Sequence, residues 1–362
     1  MHFLGIFFLL FFFATSSSAS PAPATFCVQS FNIYGTAYAK NKQERTDAFI
    51  KSIKEENIPC DVLQLQEAWT LKQFTQLSSG LSSLRYLSIR NDTHRNDAYI
   101  TGLASFFQGS VSSEYSSRYQ VNNVDGALDW FRDLLYIAKG FSFTETKLDH
   151  SPQTIFFINT HTHPRNTAVR LTQMLQLLHA VLERKSFDKP ILFTGDLNAN
   201  PNSIELILLR DVLLLKDSFL ETNFSYENIC TYCKDNPLSW SSEDSVIDYI
   251  LYRNLGKLKL TPLRSEVNMQ SYEDLVLSDH FGLRTYFQAE EIQTIPQLLP
   301  LDSPELNHRI ENAISTLEKV YNILLKQNES YLAESLFYTK TLLQELKNRD
   351  PSSPILKYFQ EQ

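Results

Sequence analysis

Apolar and polar residues alternate along Phe26–Tyr34, FCVQSFNIY, a period of two that sets one face of an extended strand into a core. A polar stretch with helical character runs from Lys42 to Glu56, and Asp61–Ala68, DVLQLQEA, alternates again. The opening therefore predicts strand, helix, strand, a crossover unit. Further strands are predicted at Ala98–Phe106, Leu135–Phe143, Thr154–Thr160, Ile191–Thr194, Val246–Tyr252 and Phe281–Gln288. Between two of them, Asn166–Glu183 carries Leu171, Met174, Leu175, Leu178 and Leu182 at helical spacing, which buries one face. Many strands with few intervening helices predict two packed sheets flanked by helices.

Near Gln293 the pattern changes to QTIPQLLPLDSPEL, where three prolines interrupt any regular element. Beyond it, Ile310, Ile314, Leu317, Tyr321 and Leu324, then Leu332, Leu336, Leu342 and Leu346, predict a helical hairpin. The expected division is a leader at 1–24, a catalytic unit at 25–290 and a helical extension at 291–362. A stabilising clasp is preferred for the extension over a binding module.

Composition changes this picture little. With 43% hydrophobic and 20% charged residues in a chain of 362, a sizeable core can be buried and wholesale disorder is excluded. The net charge of -8, without any Lys/Arg-rich run, argues weakly against a polyanionic ligand. The apolar run from Phe3 to about Ala14, followed by small residues, reads as a cleaved export signal; an uncleaved anchor is the alternative, since no Lys or Arg precedes the run and Pro23 interrupts the cleavage motif. An exported chain keeps its cysteines oxidised. Cys230 and Cys233 then form a local disulfide, while Cys27 and Cys60 either bridge, if their strands are parallel neighbours, or stay two buried thiols.

Five segments place acid/base or metal-grade side chains at strand ends: Ser30-Phe31-Asn32; Leu65-Gln66-Glu67; Asn159 to His163; Gly195-Asp196-Leu197-Asn198; and Ile247-Asp248-Tyr249 with Ser278-Asp279-His280. Singly, each is an ordinary turn or solvated charge. In this order, after and before apolar strands, the set resembles the endonuclease/exonuclease/phosphatase superfamily, over about Phe26 to Gln288. Asn159-Thr160-His161 with Arg170 and Gln173, Lys139-Gly140-Phe141 and the DNPLSW stretch are most similar to the neutral sphingomyelinase branch.

The resemblance implies a four-layered α/β sandwich of two mixed sheets and a hydrolysed phosphodiester. It implies that Glu67 anchors a divalent cation with Asn32 and Asp279 beside it, and hard oxygen donors suit Mg²⁺, with Mn²⁺ as a substitute. Of Asp196 and Asn198, one positions the attacking water or a second metal and the other hydrogen-bonds the phosphoryl oxygens. His280 is the expected general base, oriented by Asp248, and His161 donates to the phosphate. Lys139 and His163 are expected substrate contacts. The implied substrate is sphingomyelin or another membrane phospholipid, cleaved by a secreted monomer; a DNase I-like nuclease is the runner-up, and nucleic acid the less expected partner. A dead catalytic scaffold is disfavoured because every core position keeps a competent side chain. Gly102 to Asn123, with Phe106, Phe107, Tyr115 and Tyr119 and only Arg118 as a cation, leans toward a lipid-facing loop, although a buried loop would read the same.

Overall fold

The computed structural model describes residues 24–361 except 37, 57–58, 91–100, 122–137, 185–187, 293–297 and 328. The expected leader, and the first residues of the strands expected from Ala98 and Leu135, lie outside the described residues.

In chain order the strands are β1 (Ala24–Asn32), β2 (Val62–Gln66), β3 (Leu87–Arg90), β4 (Ala104–Phe107), β5 (Gly109–Arg118), β6 (Gly140–Leu148), β7 (Thr154–His161), β8 (Ile191–Asp196), β9 (Lys216–Asp217), β10 (Asp248–Arg253), β11 (Leu258–Asn268), β12 (Ser271–Tyr272), β13 (Leu275–Val276) and β14 (Gly282–Glu291). The helices are α1 (Lys42–Glu55), α2 (Leu71–Leu81), α3 (Thr167–Arg184), α4 (Ile204–Val212), α5 (Ser218–Asn223), α6 (Pro304–Gln327), α7 (Ala333–Asn348) and α8 (Pro354–Gln360).

One sheet runs β11-β14-β1-β2-β4-β3 and the other β5-β6-β7-β8-β10-β9. Both are mixed, because β1 pairs parallel with β2 and β7 parallel with β8 while their other neighbours are antiparallel. A parallel pair needs a crossover, and α1 and α3 supply the two.

The alternation of β1 sorts its side chains between two cores. Phe26 and Val28 meet Ile155, Phe157, Leu192 and Ile250 between the sheets. Cys27 and Phe31 face the other way, onto Phe49, Ile53 and Leu77 of α1 and α2. On the far side of the second sheet, Phe156, Ile158, Phe193 and Leu251 pack under α3 and α4 and under Ile310, Leu317, Leu324, Leu346 and Tyr358 of the C-terminal helices. Helix, sheet, sheet, helix gives the four layers of the DNase I-like fold that the resemblance implied.

Both disulfides form, Cys27–Cys60 and Cys230–Cys233. The first ties β1 to Cys60, two residues before β2, within the helix-side core, where the Asp61 carboxylate also accepts from the Cys27 amide at 2.8 Å. α6 and α7 form the expected hairpin, and α8 closes it with buried Ile355, Leu356, Tyr358 and Phe359. No helix among the described residues is long and apolar enough to cross a membrane.

Periodicity predicted none of β3, β5, β9, β11, β12 and β13, of which β5 and β11 are the long ones. β11 lies at a sheet edge and contains Pro262, where its register shifts; an edge strand tolerates the missing N–H. β5, GSVSSEYSSR, is an edge strand without a buried face and so without apolar alternation. Its presence corrects the reading of Gly102 to Asn123 as a lipid-facing loop. Phe106, Phe107 and Tyr119 are buried core residues, and Tyr115 alone of the four aromatics is exposed.

Candidate active site

One edge of the sandwich gathers the chemistry. Asn32, His161 and Asp196 are the last residues of β1, β7 and β8, and Glu67 follows β2 directly. β10 and β14 run the opposite way, so Asp248 at the start of β10 and Asp279-His280 just ahead of β14 reach the same edge. Strand register completes the placement, with Asp196 opposite His161 on one side and Asp248 on the other.

Asp196 is the hub. Its Oδ2 accepts from Asn32 Nδ2 at 3.0 Å and lies 3.1 Å from His161 Nε2 and 3.7 Å from His280 Nε2. Its Oδ1 accepts from the Asn198 amide at 3.0 Å. Burial would raise this carboxyl, but the two imidazoles outweigh it and hold Asp196 well below the usual carboxylate range. His280 Nδ1 meets Asp248 Oδ2 at 2.8 Å, leaving Nε2 turned toward Asp196. Burial lowers the His280 pKa, but Asp248, and after it Asp196 and Asp279, raise it well above the ordinary imidazole value. Burial pushes Asp248 up, opposed by the same imidazole.

His161 behaves oppositely. Burial, and then the ammonium of Lys139, lower its pKa and keep the ring neutral. Lys139 Nζ lies 2.6 Å from His161 Nε2 and 3.7 Å from Glu67 Oε1. A ring nitrogen cannot accept from Lys139 and donate to Asp196 at once, so the tautomer of His161 chooses between them.

Glu67 is held in a left-handed backbone conformation, φ 62°. Such a conformation costs a non-glycine residue free energy and persists where the surroundings impose it. Here the Ala68 amide is bound by the Gly102 carbonyl at 2.8 Å, and a Cβ on Gly35 would come within 2.1 Å of the Glu67 carbonyl oxygen. The Glu67 Oε2 atom is buried and has no hydrogen-bond partner. Burial pushes the neighbouring Asp279 carboxyl up to about 7; His280 opposes the rise and Glu67 adds to it.

An unpartnered carboxylate oxygen beside a second carboxyl that resists ionisation fits a divalent cation, whose charge relieves both. Glu67 and Asp279 would hold it. Asn32 already accepts from the Tyr34 amide at 3.0 Å through Oδ1, which leaves that oxygen one further lone pair for a ligand role. Asp196, Asp248 and His280 also bring ligand atoms within 4.8 Å of one another. In that group His280 Nδ1 is already engaged by Asp248 at 2.8 Å, an arrangement that can hold and pass a proton. Cys230 and Cys233 lie near Asp244 but, being joined to each other, offer no thiolate.

Two of the residues predicted from sequence serve the frame around these groups. His163 is buried, and its Nδ1 accepts from the amides of Arg165 and Asn166, at 3.2 and 3.1 Å, in the turn that leads into α3. Asn198 Nδ2 donates to the Thr162 carbonyl at 3.1 Å and so fastens the ends of β7 and β8 together. Arg170, part of the resemblance, pairs with buried Glu205 at 2.7 Å and joins α3 to α4. Sequence reasoning missed Gly35 and Trp69. The indole of Trp69 lies 5.5 Å from the Lys139 ammonium and 6.4 Å from the His161 ring; its position two residues after Glu67 was the available signal.

The family model described as the Endonuclease/Exonuclease/phosphatase family matches residues 30–280, a span that contains every residue of this constellation. A Caenorhabditis elegans protein provisionally named a neutral sphingomyelinase is 25% identical over 64% of this chain, and mouse sphingomyelin phosphodiesterase 2 is 23% identical over 71%. The chain spans 58% and 63% of those two relatives' own lengths. Among solved structures, an endonuclease/exonuclease/phosphatase from Bacteroides vulgatus covers 74% of this chain and 99% of its own at a TM-score of 0.57 and 18% identity. Sphingomyelinase C from Streptomyces griseocarneus covers 72% and 99% at 0.53 and 16%. Identities this low show a shared fold.

Proposed function

Because the chain belongs to the endonuclease/exonuclease/phosphatase family, and is with it a phosphoester hydrolase, we propose that it cleaves the phosphodiester of sphingomyelin in membranes to ceramide and phosphocholine. The observation that carries the lipid substrate is the aromatic rim beside the carboxylates. Tyr34, close enough to Asp279 and Glu67 to feel their charges, lies near the Trp240 side chain and meets the Tyr38 ring at 6.4 Å. Trp240 is 86% and Tyr38 65% exposed. Exposed amphipathic rings suit the interface of a bilayer, and two relatives named for sphingomyelin add support.

In this reading His280, oriented through Nδ1 by Asp248, takes the proton of the attacking water at Nε2. Asp196, with its Oδ1 engaged by Asn198, keeps its charge and orients that water. His161 and Lys139 donate to the equatorial phosphoryl oxygens on which charge grows. Glu67, with Asp279 and Asn32, would hold Mg²⁺ or Mn²⁺, which when bound supplies Lewis-acid polarisation of the phosphate. No covalent intermediate is involved. The apolar leader would direct the enzyme, as a monomer, out of the cytoplasm to meet its membrane.

The test sets phosphocholine release from sphingomyelin vesicles against nicking of plasmid DNA, each from low to moderate salt. Lipid cleavage should exceed nicking by orders of magnitude and vary modestly with salt, whereas a nuclease weakens steeply. Ready nicking without phosphocholine would leave the hydrolase in place and remove the lipid.

A further inference from the structure

The segment Cys230–Asn236 touches both arms of the His280–Asp248 pair. Thr231 Oγ1 accepts from the amides of Ile247 and Asp248, at 3.0 and 3.2 Å, and so fixes the start of β10. The carbonyl of the same residue accepts from the Phe281 amide at 2.7 Å, immediately after His280. Asn236 Nδ2 donates to the Ser278 carbonyl at 2.9 Å, two residues before it. The Tyr232 ring lies 4.9 Å from the imidazole. The Cys230–Cys233 disulfide closes this segment into a small ring around Thr231 and Tyr232, and paired backbone bonds between Tyr232 and Ser245 anchor it.

We propose that this disulfide-closed loop is the clamp that sets His280 against Asp248, with Thr231 as a positioning residue and the Cys230–Cys233 bond as its lock. The proposal rests on the reading of those two residues as the base and its orienter. The imidazole and carboxylate come from segments more than thirty residues apart in sequence, and a 2.8 Å contact between them demands that both backbones be fixed to one reference. Thr231 is that reference, bonded to one segment through its hydroxyl and to the other through its carbonyl.

The lock has a chemical consequence. Cys230 is half-buried, whereas Cys27 and Cys60 are fully buried, so a small dithiol reaches the loop first. In that exchange the Cys230–Cys233 bond breaks, both sulfurs leave as protonated thiols, and the dithiol is oxidised to its cyclic disulfide. The opened loop releases Thr231 and slows turnover without removing a reacting group.

The experiment uses the full chain with Mg²⁺ and two substrates, sphingomyelin vesicles and bis(4-nitrophenyl) phosphate, together with amide hydrogen exchange at Ile247 and Asp248. Thr231→Ala should lower kcat about 10- to 100-fold, the usual loss when a partner behind a reacting group goes, with KM little changed. Thr231→Ser should restore it. Exchange at the two amides should quicken in Thr231→Ala and return in Thr231→Ser. The double variant Cys230→Ser, Cys233→Ser should match wild type treated with dithiothreitol and lose nothing more on treatment. Unchanged kcat or unchanged exchange in Thr231→Ala overturns the clamp, as does a serine that fails to rescue. If sphingomyelin alone is refused, the lipid reading falls and the clamp is judged on the synthetic diester; if both are refused, exchange judges it.

Discussion

At the scale of single residues, the site pits charge against burial. His280 is enclosed, yet three carboxyls raise its basicity, and it reaches Asp248 through one nitrogen only. His280→Ala is expected to lower turnover by about 10²-fold or more, the usual size of a lost general base. Asp248→Asn should cost nearly as much by freeing the imidazole, and the double variant should lose little beyond either single one, since the two act as a unit. Additive losses in steady-state kinetics would dissolve the pairing.

Asp279 makes the metal testable without turnover. A carboxyl raised from 3.8 to about 7 favours the folded state below its unfolded value and gives that up as pH rises through about 7. A cation that takes the place of the proton restores the loss, and it binds more tightly once the proton is gone. The rise in Tm on adding Mg²⁺ should therefore be larger at pH 8 than at pH 5. Glu67→Gln, which removes the charge but keeps the shape, should abolish both that rise and the activity while leaving the fold intact in EDTA. Equal Tm gains at the two pH values would mean that these carboxyls do not take the ion.

Among elements, the loops after the strands decide the geometry. Gly35 has no room for a methyl group against the Glu67 carbonyl. Gly35→Ala should thus disturb Glu67 through its backbone and cost activity, with Mg²⁺ affinity as the measurement; unaltered affinity would show that the loop can yield. β1, β2, β7, β8 and β14 were legible because each has a face that must be apolar, and the acidic residues stood where those patterns stopped. β5 and β11 were not, since β5 buries no full face and the alternation of β11 is confined to Leu258 and Leu260, ahead of Pro262. The contacts of Asn32 with Asp196 and of Lys139 with His161 were also out of reach, because they join residues 164 and 22 positions apart. Spacing gave the cast of the site, and only the sheet register could seat it.

For the whole molecule, the C-terminal helices are structural members. Leu306, Ile310, Leu317, Val320 and Leu324 of α6 are buried in one core with α3 and α4. Arg253 at the end of β10 donates to the carbonyls of Tyr358 and Glu361, at 2.7 and 2.9 Å. A chain ending before residue 298 is expected to lose several kcal/mol and to aggregate, because each buried side chain of this size contributes about 1.5 to 3 kcal/mol. A soluble truncated protein with an unchanged Tm would instead make the helices a separable module.

β1, at the centre of its sheet, takes β14 as one neighbour, and the register joins Ser30 to Leu283, about 250 positions later. At ribosomal speeds of about 5 to 20 residues per second, that interval lasts roughly 10 to 50 s. Throughout it the nascent chain carries an apolar strand with one bare edge, a target for chaperones or for other copies of itself. Asp279 and His280 emerge only at its close, just ahead of the strand that covers the edge. A chain not yet extended through β14 therefore lacks both the strand that closes this edge and the Asp279-His280 pair.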